Sequence, residues 1–303
     1  MRERAEPYDF VMRLRGTLAV AAVPLLLAAV ACAPASDGDS TATDGGSASP
    51  TGDQCATDQL NLKTPGQLTV GTDSPAYDPW FSNDDPTNGK GYESAVAYAV
   101  ADQLGFTADQ VKWTVVPFNK SYAPGPKDFD FDINQISITP DRAQKVDFSD
   151  GYYTAAQAVI ALKDSPVAGA TSVDDLKDYK LGAQTGTTSL TAIREDIQPS
   201  EDPLVFQSTN AAKQALLNGQ VDAIVADLPT AFYITAVEIP QATMVGQFQQ
   251  QSGTPEEFGM LFEKGNPLVA CVNQALATIK SDGTLDEIEQ KWLSQTVNVP
   301  VLQ

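Results

Sequence analysis

The chain has 303 residues, 42% of them hydrophobic, with a formal net charge of −20 and a pI of about 4.1. That length suits two lobes or domains, and the acid excess, offset by no basic cluster, argues against nucleic acid or an anionic membrane surface as a partner. No histidine and only three cysteines are present, which argues against a histidine base and an ordinary imidazole or thiolate metal site; an all-oxygen site is the remaining metal chemistry, and no cofactor is expected.

Residues 1–31 read as a targeting segment. Arg13 and Arg15 form a charged start, and the apolar run from Leu18 to Ala31 is too short to span a bilayer. Glu3, Glu6 and Asp9 suit a signal start poorly, so translation is expected to begin at Met12. The run closes Ala29-Val30-Ala31-Cys32. Small residues before a cysteine resemble a bacterial lipoprotein signal, in which the cysteine is lipidated and becomes the mature N-terminus. Ala29 stands where that pattern prefers Leu, and ordinary secretion is the alternative. Residues 32–54 read as a lipidated, disordered tether rich in Ser, Thr, Gly and Asp, with a reach of roughly 25 Å. Cys55 and Cys271 remain, and in an exported chain they are either a disulfide or two free thiols.

The first strand is Leu68 to Asp73, followed by the loop Ser74-Pro75-Ala76-Tyr77-Asp78-Pro79-Trp80-Phe81. Its Asp and Pro residues suit a turn, and Trp80 and Phe81 suit a core. A helix over Ser94–Leu104 follows, with apolar residues at helical spacing and Gly105 as its stop. Val111–Val116 reads as a strand and Asn119–Lys127 as an irregular loop.

Phe131 to Ile136 reads as a strand, which places Ser137, Thr139 and Arg142 just past its carboxyl end. That is where open α/β sheets hold ligands. Pro140 opens a helical turn, and the Arg142 guanidinium offers a planar fork of donors for a carboxylate or phosphate. A further strand-like run, Val146 to Tyr153, follows.

Gln157–Lys163 has the look of a strand crossing into a second lobe. Ser172 is placed to cap a short helix, and Lys180–Gln184 is a strand. The loop Thr185-Gly186-Thr187-Thr188-Ser189 then enters a helix over Leu190–Ile197. Its main-chain N–H groups and hydroxyls converge where a carboxylate fits, and no phosphate-loop pattern is present. Ser208 to Asn210 caps a helix over Ala211–Asn218. Val221–Ala226 is a buried strand ending at Asp227, where an acid is a poor structural choice unless the surroundings are polar. Phe258–Phe262 returns to the first lobe, and two helices, Leu268–Ile279 and Leu285–Trp292, close the chain.

Several of these pieces carry a resemblance. S-I-T-x-x-R at Ser137–Arg142, V-D-F-S-x-x-Y-Y at Val146–Tyr153, Gly91-Tyr92-Glu93, Gly186-Thr187-Thr188 and the ending K-S-D-G-T-L-x-x-I-x-x-K-W at Lys280–Trp292 occur in the order of the polar amino-acid solute-binding proteins of ABC importers, bacterial extracellular solute-binding protein family 3. The resemblance covers Leu68 to Leu293. It implies the two-lobed type II periplasmic-binding-protein fold, with lobe 1 at 55–157 plus 254–303, lobe 2 at 158–253, and a two-segment hinge near Ala155–Val159 and Gly253–Gly259. It implies a free amino acid whose α-carboxylate meets Arg142, Gly186, Thr187 and Thr188, with Ser137 and Thr139 beside them, and whose α-ammonium meets Asp227. Asp73 and Tyr77 would face its side chain. Asn134 and Gln135 stand where the family has small residues, and either amide could grip a polar, amide or cationic side chain. The implied partners are ABC permease membrane subunits, on the extracytoplasmic face, with a monomeric binding protein. Two rivals on the same fold are a sensory amino-acid-binding module and an enzyme resembling the cyclohexadienyl dehydratases, which without histidine would depend on a carboxylate.

Overall fold

The computed structural model describes residues 52–249, 255–293 and 299–302. The expected signal sequence, Cys32 and most of the tether lie outside them. The first-half strands are β1 (Leu68–Thr72), β2 (Val111–Val115), β3 (Phe131–Asp132), β4 (Asp147–Phe148), β5 (Tyr153–Ala155) and β6 (Gln157–Leu162). The second-half strands are β7 (Leu181–Gln184), β8 (Leu204–Phe206), β9 (Ala223–Asp227), β10 (Ala242–Phe248), β11 (Glu256–Phe258) and β12 (Leu261–Phe262). They form two five-stranded sheets, ordered β2-β1-β3-β12-β4 and β10-β6-β9-β7-β8. Between them lies a two-stranded antiparallel ribbon of β5 and β11, pairing Tyr153 with Phe258 and Ala155 with Glu256. The chain passes from one sheet to the other through this ribbon, in the neighbourhood the hinge was expected.

The first sheet packs on three helices, α1 (Tyr92–Gln103), α7 (Leu268–Ser281) and α8 (Thr284–Leu293). Trp80 is fully buried against Tyr92, Tyr153 and Phe258 at ring-centroid distances of 5.8, 5.3 and 5.6 Å. Cys55 and Cys271 form a disulfide with Cα atoms 5.4 Å apart, so the pair is bonded and the free-thiol alternative falls. The second sheet has apolar cores on both faces, which suits the near-continuous apolar run of β6. Helix α5 (Thr209–Leu217) shows the local logic: the Ser208 hydroxyl accepts from the Ala211 N–H at 3.2 Å, and Ala212, Ala215 and Leu216 turn inward.

The structure departs from expectation in four places. The strand expected over Phe131–Ile136 ends at Asp132, because Gln135 takes φ +48° with its N–H donated to Glu93 at 2.6 Å. The helix expected from Leu190 starts at Thr188 and widens into a π-turn over Ile193–Ile197. The loop expected over Asn119–Lys127 is preceded and entered by a helical turn, α2 (Phe118–Ser121). Finally, the last described residues lie against the second sheet, whereas the resemblance implies that 254–303 belongs to the first lobe. Val301 bridges to Gln247 on the edge of β10, the Gln247 N–H donates to the Pro300 carbonyl at 2.7 Å, and Leu302 is buried in a second-sheet core. Gly246 makes room for this, since any side chain there would meet Leu302.

Candidate ligand-binding site

A cavity of ≈ 100 Å³ lies between the two sheets, several times what a single water needs. Seven of the expected residues line it: Asp73, Tyr77, Asn134 and Gln135 from one side, Thr187, Thr188 and Asp227 from the other.

Asp73 sits just past β1. One carboxylate oxygen accepts from the Ser74 N–H at 2.7 Å and the other from the Phe118 N–H at 3.1 Å, so the acid fixes two loops while it faces the cavity. Phe118, also in the lining, follows from this link. Tyr77 lies beneath the Lys213 ammonium, 5.5 Å from the ring centroid, and burial raises its phenol above the ordinary range. Asn134 is buried, and its Nδ2 has no partner among the described residues. The Gln135 amide is turned away onto Glu93, to which both its main-chain and side-chain N–H groups donate.

In the second lobe, the Thr187 hydroxyl donates to the Gln184 carbonyl at 2.8 Å and accepts from the Leu190 N–H at 3.1 Å, capping α4 (Thr188–Ala192). The N–H groups of that first turn lie too early for an intrahelical partner. Asp227 closes β9 and stands at the head of α6 (Leu228–Tyr233) without capping it. Its Oδ1 accepts from Gln157 Nε2 at 3.4 Å. Burial first, and the neighbouring Glu256 second, push its carboxyl well above the usual carboxylate range. A buried acid in that position gains most from a cationic partner.

Four expected ligand contacts, Ser137, Thr139, Arg142 and Gly186, do not line the cavity. The Thr139 hydroxyl caps the helical turn α3 (Pro140–Ala143), accepting from the Arg142 N–H at 3.3 Å. The Ser137 hydroxyl donates to Glu256 at 2.5 Å. Arg142 is buried; it donates to the Ser137 carbonyl at 2.8 Å and, across the cleft, to the Gly186 carbonyl at 2.9 Å. It also lies over the Tyr122 ring at 4.8 Å. Its fork thus joins main-chain oxygens of both lobes. Gly186 has φ +74°, and a Cβ there would collide with Asn119 Oδ1 and Tyr122 Oη. Its part is close approach of the lobes.

Three buried residues escaped the sequence. Glu93 accepts from Gln135 and from the Tyr152 hydroxyl, and burial lifts its carboxyl to about 7. Its place in the first turn of α1 carried no signal beyond Gly91-Tyr92-Glu93. Gln157 and Glu256 lie under the cavity in the crossover ribbon and its continuation. A polar residue heading the apolar strand β6 was the available clue for the first; nothing marked the second. Among the described residues, no cluster of three or more His, Cys, Asp or Glu could hold a metal ion.

Residues 68–295 match the model of the bacterial extracellular solute-binding proteins, family 3. The chain belongs to that family. It is 29% identical over 240 residues to the L-cystine-binding protein TcyJ of Escherichia coli strain K12, covering 78% of this chain and 86% of that one. It is 31% identical over 221 residues to the ABC transporter glutamine-binding protein GlnH of Bacillus subtilis strain 168, covering 71% and 77%. Among solved structures it resembles the ancestral amino acid-binding protein AncCDT-1, a precursor of cyclohexadienyl dehydratase, with TM-score 0.61 and 32% identity over 75% of this chain and 95% of that one. The fold of this family 3 protein is the two-lobed type II periplasmic-binding-protein fold. Its lobes touch through the Trp80 indole N–H on the Thr230 hydroxyl at 2.8 Å, Arg142 on Gly186, and Ser137 beside Thr188 at 3.2 Å.

Proposed function

We propose that this protein captures a free polar amino acid between its lobes on the extracytoplasmic face and presents it to the membrane subunits of an ABC importer. The observation that carries the reading is Asp227, a desolvated acid lining an interlobe cavity opposite Asp73 and beside the capped Thr187–Ser189 turn. An α-ammonium neutralises Asp227. The α-carboxylate lies against the N–H groups and hydroxyls of the Thr187–Thr188 turn, with buried Arg142, bonded to the adjoining Gly186 carbonyl, behind it. Asn134, whose amide nitrogen lacks a partner among the described residues, and Asp73 meet the side chain, which favours an amide or cationic group. The ligands named for TcyJ and GlnH, cystine and glutamine, agree with a polar amino acid.

The lobe boundaries carry over with one change, residues 299–302 joining lobe 2. Lipidation at Cys32, with the tether as leash, and a monomeric state complete the reading. A thermal-shift screen of the twenty standard L-amino acids and L-cystine tests it: one or a few polar members should raise the melting temperature, and no shift with any member rejects it.

A second reading rests on the same raised carboxyl, which resembles an acid–base catalyst in a cleft, and on the likeness to a precursor of cyclohexadienyl dehydratase. Binding without turnover of prephenate or arogenate separates the two; product formation would favour the enzyme.

A further inference from the structure

Beneath the cavity, two buried side chains on the crossovers form one hydrogen-bonded chain. Gln157, first residue of β6, is 1% exposed, and Glu256, first residue of β11, is 9% exposed. Gln157 Nε2 donates to Glu256 Oε2 at 2.9 Å and reaches Asp227 Oδ1 at 3.4 Å, while its Oε1 accepts from the Ser189 hydroxyl at 2.6 Å. At the other end the Ser137 hydroxyl donates to Glu256 Oε1 at 2.5 Å and lies 3.2 Å from the Thr188 hydroxyl. The chain therefore runs from the first lobe, through both crossovers, to two groups of the second lobe.

The polarity of this chain is fixed at one point. An amide has a donor end and an acceptor end, and its neighbours decide which way it faces. A carboxylate only accepts, so Glu256 requires the Gln157 NH₂ to face it. The same NH₂ then turns its second hydrogen towards Asp227, and the amide oxygen is left for Ser189. With the amide reversed, its oxygen would stand against the Glu256 carboxylate and its NH₂ would turn away from Asp227. Ser137 has a single proton, committed to Glu256, so the contact between Ser137 and Thr188 takes its proton from Thr188. Among the described residues, the titratable groups that interact with Glu256 include the Arg142 guanidinium and the Asp227 carboxyl.

We propose that Glu256 is a positioning residue for ligand capture: acting through Gln157, it orients the Asp227 carboxylate that receives the α-ammonium. The inference rests on the amino-acid reading above and deepens it. Glu256→Gln keeps size and shape, but a second amide at 256 can offer its own NH₂ to Gln157, which allows the reversed orientation that turns the Gln157 NH₂ away from Asp227. Gln157→Met keeps volume and removes the amide.

The test begins with the twenty standard L-amino acids and L-cystine on the wild type by thermal shift. The strongest binder and its α-N-acetyl form are then titrated, directly and by competition, into wild type, Glu256→Gln, Gln157→Met and the double variant. Each single variant should bind the amino acid at least tenfold more weakly. The preference for the amino acid over its N-acetyl form should shrink by a similar factor, which a loss of general packing would not produce. The double variant should be no worse than Gln157→Met within about twofold. A Glu256→Gln affinity within twofold of wild type, an unchanged preference, or additive losses in the double variant overturn the proposal. Should Glu256→Gln fail to fold, the N-acetyl preference of Gln157→Met decides alone. If no member of the panel shifts the wild type, the amino-acid reading itself fails, an outcome distinct from wild-type-like variants.

Discussion

Trp80 donates its indole N–H to the hydroxyl of Thr230 at 2.8 Å, joining residues 150 apart in sequence and on opposite lobes. The indole is otherwise packed among Tyr92, Tyr153 and Phe258, so the bond ties the aromatic core of one lobe, next to the crossover ribbon, to a cavity residue of the other. Opening the lobes must break it. Thr230→Val removes the acceptor and leaves a buried donor unpaired in the closed form, at a cost of about 1–3 kcal/mol. Amino-acid affinity should therefore fall roughly tenfold by calorimetry; unchanged affinity would mean that this contact plays no part in closure.

Arg142 holds the Ser137 and Gly186 carbonyls at once and stacks on Tyr122. Arg142→Ala removes a buried cation that spans the lobes and sits near Asp227 and Glu256, a loss typically worth several kcal/mol. Binding should weaken at least a hundredfold. Arg142→Lys keeps the charge without the planar fork and should recover only part of that. Equal affinities for Arg142→Lys and wild type would show that charge alone suffices.

Stability should fall as pH rises. Burial lifts the Glu93 carboxyl from 4.5 to about 7 and raises Asp132 and Asp227 in the same direction. Folded protein therefore holds these protons more tightly than unfolded chain. The stabilisation is complete below pH 4.5 and is lost as pH climbs through 7; for Glu93 alone it is about 3 kcal/mol. Melting temperature should drop between pH 5 and 8, and Glu93→Gln should flatten part of that slope. A melting temperature that rises over this interval contradicts the assignment.

The Cys55–Cys271 disulfide closes a loop with a sequence separation of 216. By chain entropy such a closure stabilises by at most about 5 kcal/mol. The Cys55→Ser, Cys271→Ser double variant should melt several degrees lower, as read by calorimetry, while its amino-acid affinity stays within a few-fold of wild type, because neither cysteine lines the cavity.

What could be read in the sequence was what depends on near neighbours. Asp227 stood out because an acid ending a buried strand has few structural uses, and the Thr187 cap and the Ser208 cap follow from residues three positions away. Helix α1 and strand β6 followed from apolar spacing. Glu93, Gln157 and Glu256 were hidden because their partners are distant: Gln135 is 42 residues from Glu93, and Ser137 is 119 from Glu256. The Arg142 fork suits a carboxylate by its chemistry, and the same fork suits the two main-chain carbonyls it holds here, a distinction that sequence position does not express. Strands β8 and β10 went unread because β8 is short and exposed at the sheet edge and β10 mixes polar and apolar residues. Leu302 reaches the second sheet only through room left by Gly246, a fact no pattern along the chain expresses.

The most direct measurement is calorimetric titration of wild type and Asp227→Asn with the amino acid that most raises the wild-type melting temperature. Asn keeps the shape of the side chain and removes its charge, so the account predicts an affinity at least a hundredfold lower with the fold intact by circular dichroism. Near wild-type affinity in Asp227→Asn would contradict capture of the α-ammonium by this carboxylate.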